Sequence, residues 1–132
     1  MDRNSSPPTV MVVDDNAMNL TLFDGLLGLL GCKVLTLDDG ALVIEAAKLH
    51  LPAVVLMDIY MPGISGFDIV RGLKAESGTR DIPVYAVTAM DPKELADHAD
   101  FGLFAGVLRK PPSVADLKRV LATVGALPAG RL

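Results

Sequence analysis

Five times along the chain a short apolar run stops on a polar residue, and five times a segment with apolar residues at helical spacing follows. Val10-Met11-Val12-Val13 stops at Asp14, Lys33 to Leu37 runs into the turn Asp38-Asp39-Gly40, and Val54-Val55-Leu56-Met57 stops at Asp58. Val84-Tyr85-Ala86-Val87 stops at Thr88, and the run from Ala105 ends in Arg109-Lys110. Unbroken apolar runs of this length predict strands buried on both faces. Between them, helical spacing predicts helices over Ala17 to Leu30 (Leu20, Phe23, Leu26, Leu27 and Leu30 inward, Gly31 as stop), Ala41 to Leu49 (closed by Pro52) and Gly66 to Ala75 (Phe67, Ile69, Val70 and Leu73 inward). A fourth helix, from Pro92 to about Asp100, has a thin apolar face, and a fifth, capped by Ser113, carries Val114, Leu117, Val120, Leu121 and Val124 on one stripe. Strands alternating with helices imply an α/β fold with a doubly wound parallel sheet. Residues 1–8 read as a disordered lead, 9–125 as the domain and 126–132 as a loose tail. Gly25 and Gly28 each cost the first helix about 1 kcal/mol relative to Ala, which points to close backbone packing, to local softness or to mere tolerance.

Parallel strands bring their C-terminal ends to one edge of the sheet, where open α/β sheets place ligands. That edge would collect Asp14-Asp15, Asp58, Thr88-Ala89 and Lys110-Pro111. Pro62, Gly63 and Gly66 break the strand pattern after Asp58, so Asp58 and the carbonyls beyond it would line a turn above the sheet. A single Asp after an apolar run reads equally well as a helix cap, and Asp14 and Asp15 could simply cap the first helix. Four such endings in one chain are not what core packing alone produces.

Composition narrows the function. With 132 residues, 51% hydrophobic and 21% charged, the chain is long enough for one domain with a real core. A net charge of −4 argues against a nucleic-acid surface, so any DNA-directed output would come from a partner. No apolar run approaches the roughly 20 residues of a membrane span, and the polar start lacks a signal-peptide pattern, so no membrane and a cytoplasmic location are expected. Cys32 is the sole cysteine, which excludes an intrachain disulfide and a cysteine-built metal site and suits a small core residue. Three carboxylates at one edge repel one another and predict a cation, and all-oxygen ligation favours Mg²⁺ or Mn²⁺ over zinc. His50 and His98 lie elsewhere and are expected on the surface.

The acidic pair Asp14-Asp15, Asp58 within Met57-Asp-Ile-Tyr-Met-Pro-Gly-Ile-Ser-Gly66, Thr88-Ala89 and Lys110-Pro111, in that order, resemble the receiver domain of bacterial two-component response regulators. The resemblance covers about Thr9 to Val124, and the stretch Asp14 to Asn19 looks most like stand-alone, phosphorelay and hybrid-kinase receivers. It implies a flavodoxin-like (βα)5 fold with strand order 2-1-3-4-5. It implies that Asp58 accepts a phosphoryl group from a phosphohistidine on a sensor histidine kinase or a histidine phosphotransfer protein, and that the domain then acts on a downstream protein or shuttles the group onward. Asp15, Asp58 and the Tyr60 carbonyl would hold the ion, with Asp14 acting through water. Lys110, the Thr88 hydroxyl and the Ala89 N–H would receive phosphoryl oxygens, and the Lys110–Pro111 bond is commonly cis in such domains. The domain would catalyse its own phosphorylation and dephosphorylation without turning over an external substrate.

Two positions depart from the family pattern. Val107 stands where most receivers carry the Tyr or Phe that swings inward as Thr88 is drawn to the phosphate, and Leu103 replaces a common glycine at the end of the fourth helix. Among the alternatives, a haloacid-dehalogenase-like phosphatase would want a second Asp where Tyr60 stands. A pseudo-receiver that only binds partners would not need the intact set of Asp14, Asp15, Asp58, Thr88 and Lys110. A flavodoxin-type redox protein lacks its phosphate-cradling loop after the first strand. Hydrolysis of the acyl phosphate needs water opposite Asp58, and bulky Tyr60 and Met90 are expected to flank that approach.

Overall fold

The computed structural model describes residues 7–89 and 92–128. Its order of elements is β1 (Thr9–Val13), α1 (Ala17–Leu29), β2 (Lys33–Leu37), α2 (Val43–His50), β3 (Val54–Asp58), β4 (Tyr60–Met61), β5 (Ile64–Ser65), α3 (Gly66–Ala75), β6 (Val84–Thr88), α4 (Pro92–Leu95), β7 (Gly106–Arg109) and α5 (Val114–Thr123). Five strands form one parallel sheet in the order β2-β1-β3-β6-β7. With the small hairpin β4-β5 set aside, this is the flavodoxin-like order 2-1-3-4-5. The apolar runs explain why: every residue of β3 and β6 is buried, as expected for strands covered on both faces.

Alternation along the strands divides the core. Met11, Val13, Val55, Met57, Val84 and Ala86 pack under α2, α3 and the α4 segment, whereas Val10, Val12, Leu56, Val87 and Leu108 pack under α1 and α5. The helix faces are those read from spacing. Phe23, Leu27 and Leu30 are buried from the first helical segment, Phe67, Ile69, Val70 and Leu73 from α3, and Leu117, Val120 and Leu121 from α5. Ser113 caps α5 in a reciprocal capping box with Asp116. Cys32 is half-buried against the α1/α5 side of the core. Before β6, the Lys74 ammonium donates to the carbonyls of Arg80 (3.0 Å) and Ile82 (2.7 Å), and the buried Thr79 hydroxyl donates to Leu73 O (2.6 Å). These bonds tie the 76–83 loop down.

The fourth helix is shorter than its spacing predicts. It ends at Leu95, and the chain continues through turns to a 3-10 helix at Phe101–Leu103. Leu95 is buried, but Ala96, Asp97, His98 and Ala99 all face solvent, so the thin apolar stripe gives no second turn a reason to form. Leu103 therefore lies in a 3-10 turn rather than at a helix end, packed against the core. The second helix also starts later than expected, behind a 3-10 turn at Gly40–Leu42 whose cap is Asp39. Residues 1–6 and 129–132, at the ends of the expected lead and tail, lie outside the described residues, and Ala126 is buried against the α1/α5 side.

Three glycines separate packing from tolerance. A Cβ at Gly25 or Gly28 would meet nothing within 4 Å, so close packing does not explain either. At Gly66 a Cβ would lie 2.8 Å from Ile59 Cα and 2.9 Å from the Asp58 carbonyl oxygen, backbone atoms that cannot swing away. Gly25→Ala and Gly28→Ala should each stabilise the protein by about 1 kcal/mol. Gly66→Ala should destabilise it by about 1–3 kcal/mol through overpacking. Urea unfolding followed by circular dichroism measures all three, and a loss of stability in the first two would contradict the open helix face.

Candidate functional site

Four strand ends of the sheet, those of β1, β3, β6 and β7, deliver the parts of the site. β1 stops at Val13, and the Asp14 N–H is tied to Leu37 O at 3.0 Å, which turns the buried Asp14 side chain over the sheet edge. Asp15 is exposed beside it. The N-cap of α1 is neither acid but Asn16, whose side chain accepts from the Met18 and Asn19 N–H groups, so the acidic pair is freed from capping. Asp58 is the last residue of β3, in register with Val87. Thr88, buried at the end of β6, pairs with Arg109, and its carbonyl accepts from Lys110 N at 2.9 Å. Lys110 follows β7 directly, and the Lys110–Pro111 peptide is cis.

The charged groups converge closely. Lys110 Nζ lies 2.9 Å from Asp14 Oδ2 and 3.2 Å from Asp58 Oδ2. Asp14 Oδ1 accepts from Asn16 N at 2.9 Å, and Asp14 Oδ2 accepts from Asn19 Nδ2 at 3.1 Å. Asp58 Oδ1 accepts from Tyr60 N at 3.2 Å. Asp14, Asp15 and Asp58 can each offer a carboxylate oxygen such that all three oxygens lie within 4.8 Å of one another. Asp14 is 1% and Asp58 6% exposed.

Burial raises the Asp58 pKa above the ordinary carboxylate value; the Lys110 charge opposes this, and the Asp14 charge adds to it. Burial pushes the Lys110 ammonium down, but hydrogen bonds and charge from Asp14 and Asp58 outweigh it, so its pKa is raised. Asp14 and Asp58 thus share one ammonium, and among the described residues the third carboxylate, Asp15, makes no ion pair. A hard divalent cation fits this donor set, because it would balance the remaining negative charge through oxygen ligands alone.

Of the residues singled out in the sequence, Asp14, Asp58 and Lys110 are in contact and Asp15 brings a carboxylate oxygen within 4.8 Å of the other two acids, with Thr88 at the neighbouring strand end and Ala89 exposed just beyond it. The Tyr60 side chain is 56% exposed at the mouth, where Asp15, Tyr60 and residues 61–65 border an open cavity of about 610 Å³. Met90 lies outside the described residues. Val107 is in register with Ala86 and packs into the α2/α3 side of the core. Tyr85 does not replace the missing aromatic ring, since it belongs to the opposite face, where a Cβ at Gly106 would meet its ring at 2.7 Å.

Two features were not anticipated. Asn19 reaches the Asp14 carboxylate, although its place five residues beyond Asp14, in the first turn of a helix, made that reach visible in principle. His98, expected on the surface, is solvent-accessible but stacks flat on Phe67 with ring centroids 3.5 Å apart, and Phe67 meets Phe104 edge-on at 5.5 Å.

Comparison with known proteins agrees with this geometry. The family model of the response regulator receiver domain matches residues 10–122. The polar-differentiation response regulator DivK of Brucella anthropi is 35% identical over 108 residues, covering 82% of this chain and 88% of DivK. The receiver domain of sensor histidine kinase PA1611 from Pseudomonas aeruginosa, solved with a magnesium ion coordinated in its active site cleft, superposes with a TM-score of 0.78 at 27% identity, covering 90% of this chain and 98% of that one. The chemotaxis response regulator CheY4 of Vibrio cholerae superposes with a TM-score of 0.79 at 25% identity, covering 89% and 98% of the two chains.

The raised Asp58 pKa has a definite sign for stability. A carboxyl whose folded pKa exceeds its unfolded value contributes stability that is fully present below the unfolded pKa and lost as pH rises through the folded pKa. At neutral pH the ionised Asp58 is therefore a cost to the folded state. In buffer with EDTA, Asp58→Asn should melt at a higher temperature than wild type at pH 7, and the gap should close as pH falls through the carboxylate range. Equal melting temperatures at pH 7 would show that the Lys110 attraction outweighs burial.

Proposed function

The chain belongs to the response regulator receiver domain family, and from that premise we propose that it takes a phosphoryl group from a phosphohistidine donor onto Asp58 and signals by protein contact or by passing the group on. The observation that carries the assignment to Asp58 is its place: a carboxylate at the end of a buried strand, open to the sheet edge, with the Lys110 ammonium at 3.2 Å. A carboxylate oxygen of Asp58 attacks phosphorus, a P–O bond forms, the P–N bond to the donor breaks, and the imidazole leaves with the bonding electron pair. Lys110 turns from the carboxylates to one phosphoryl oxygen as a point charge, and the Thr88 hydroxyl with the Ala89 N–H receives another. A Mg²⁺ ion, when bound, supplies the remaining charge neutralisation. Asp15, Asp58 and the Tyr60 carbonyl are the ligands we assign to it, with Asp14 acting through water, and Mn²⁺ suits the same oxygens.

The donor is a sensor histidine kinase or a histidine phosphotransfer protein, and the receiving surface for a protein is at hand. α1 begins beside Asp15 and exposes Met18 (82%), Leu22 and Leu29 on one side, an apolar strip suited to protein contact. The readout differs from that of receivers with an aromatic ring at the Val107 position. Drawing Thr88 toward the phosphoryl group shifts the loop after β6, and Val107 fills less of the space beneath it than a ring would. The phosphatase alternative loses ground at Tyr60, whose side chain offers no carboxylate where a second Asp is wanted. No described helix is long and apolar enough to cross a membrane.

Acetyl phosphate or beryllofluoride with Mg²⁺ should modify wild type and leave Asp58→Asn unmodified; equal labelling of that variant overturns the assignment. Once formed, the acyl phosphate should be long-lived, because Tyr60 is bulky and lacks a group to orient water. Tyr60→Asn should speed its loss by roughly tenfold, about 1.4 kcal/mol in barrier. Val107→Tyr should leave that rate nearly unchanged and alter partner binding instead. Decay followed by mass spectrometry decides both, and an unchanged rate for Tyr60→Asn removes the shielding argument.

A further inference from the structure

The Asp14 carboxylate is almost wholly buried and is held by three donors: Asn16 N on Oδ1, and Lys110 Nζ together with Asn19 Nδ2 on Oδ2. A carboxylate only accepts, so the Asn19 group that faces it is the NH₂ end. Asn19 is itself fixed, since its backbone N–H is bound by the Asn16 side chain at 3.2 Å in the first turn of α1. Each carboxylate oxygen can accept two donors, so Asn19 and Lys110 hold Asp14 Oδ2 together. When the lysine leaves, Asn19 is the donor that remains on that oxygen. On the reading of Asp58 as phosphoryl acceptor, Lys110 gives up Asp14 and Asp58 for a phosphoryl oxygen. Asp58 is then esterified, but Asp14 keeps its charge and its burial, and a buried carboxylate oxygen stripped of its donor is expensive.

We infer that Asn19 is a positioning residue for the phosphotransfer: its side-chain amide holds Asp14 Oδ2 in place while Lys110 moves to the phosphoryl group, which lowers the cost of releasing the lysine and keeps Asp14 aimed at the cation site. The inference rests on the phosphoryl-acceptor reading and adds to it a residue outside the expected ligand and phosphate contacts. Asn19 touches neither the acceptor carboxylate nor the transferred group. It acts through Asp14 alone.

Two variants test this on the full chain. Asn19→Leu keeps the bulk and removes the donor; Asn19→Gln keeps an amide on a longer stem. With acetyl phosphate and saturating Mg²⁺, Asn19→Leu should be labelled roughly tenfold more slowly. Its Mg²⁺ affinity, read by chemical-shift titration without any phosphodonor, should fall by roughly tenfold. Asn19→Gln should recover most of both, which a purely packing role for the side chain would not produce. If folded Asn19→Leu matches wild type in rate and Mg²⁺ affinity, the inference is overturned. If folded Asn19→Gln is as impaired as Asn19→Leu, the position matters through shape and the inference is equally overturned. Failure of wild type itself to be labelled, or labelling of Asp58→Asn, would instead sink the underlying assignment.

Discussion

One ammonium group between two buried carboxylates is the constraint on which the site depends. Lys110 bridges Asp14 and Asp58, and Asp15 adds a third negative charge at the rim with no cation of its own among the described residues. At 4 Å and an effective dielectric of about 20, each pair of unit charges interacts with about 4 kcal/mol of either sign. A single lysine cannot balance three such neighbours. Three carboxylates and one ammonium leave two negative charges unbalanced, which is the charge of one divalent cation. The raised Asp58 pKa has a different origin, since burial is its largest cause and the Lys110 charge opposes it.

The fold exists to hold that imbalance steady. Four strands of the sheet end on site residues at one edge because they run parallel and in fixed register, Val13 beside Met57, Asp58 beside Val87, and Thr88 beside Arg109. Both buried carboxylates are braced by local backbone or amide donors, Asp58 by Tyr60 N and Asp14 by Asn16 N and Asn19. The stretch after Asp58 is braced from below. Gly66 lets α3 approach the Asp58 and Ile59 backbone so closely that Gly66 N reaches Ile59 O at 2.8 Å, and Gly63 turns the hairpin with φ +84°. The aromatic stack of His98, Phe67 and Phe104 joins the start of α3 to the segment that follows β6 and to the entry of β7. The start of α3 and the segment between α4 and β7 thus rest on common packing.

Much of this was legible in the residues. The unbroken runs at Val10–Val13, Val54–Met57 and Val84–Val87 announced buried parallel strands, and their polar endings announced the edge at which chemistry would collect. Periodicity failed where its signal was weak. Pro92 promised a helix start, but the four residues after Leu95 are solvent-exposed, so tertiary packing did not extend it. The hairpin β4-β5 was read only as a break, because two-residue strands leave no alternation to detect and Gly63 marks a turn without stating what it joins. The Asp14–Asn19 bond is a side-chain contact across a strand-to-helix turn, which spacing permits but does not require. Gly66 looked like any other breaker, since close backbone approach leaves no trace in hydropathy.

The same strands have a second end. At the edge away from Asp58 lie the turn at Gly31, the connection through Pro52 and Ala53, the loop from Glu76 to Pro83 and the entry at Ala105, and none of them contributes an atom to the charged cluster. Ser77 and Gly78 are exposed there, and a Cβ at Gly78 would meet nothing. Variation at that end is separated from the chemistry by the length of the parallel strands. Substitutions at that pole can therefore alter stability or attachment without entering the charge balance at the other. A reporter grafted at residues 77–78 would ride on the domain without entering its electrostatics.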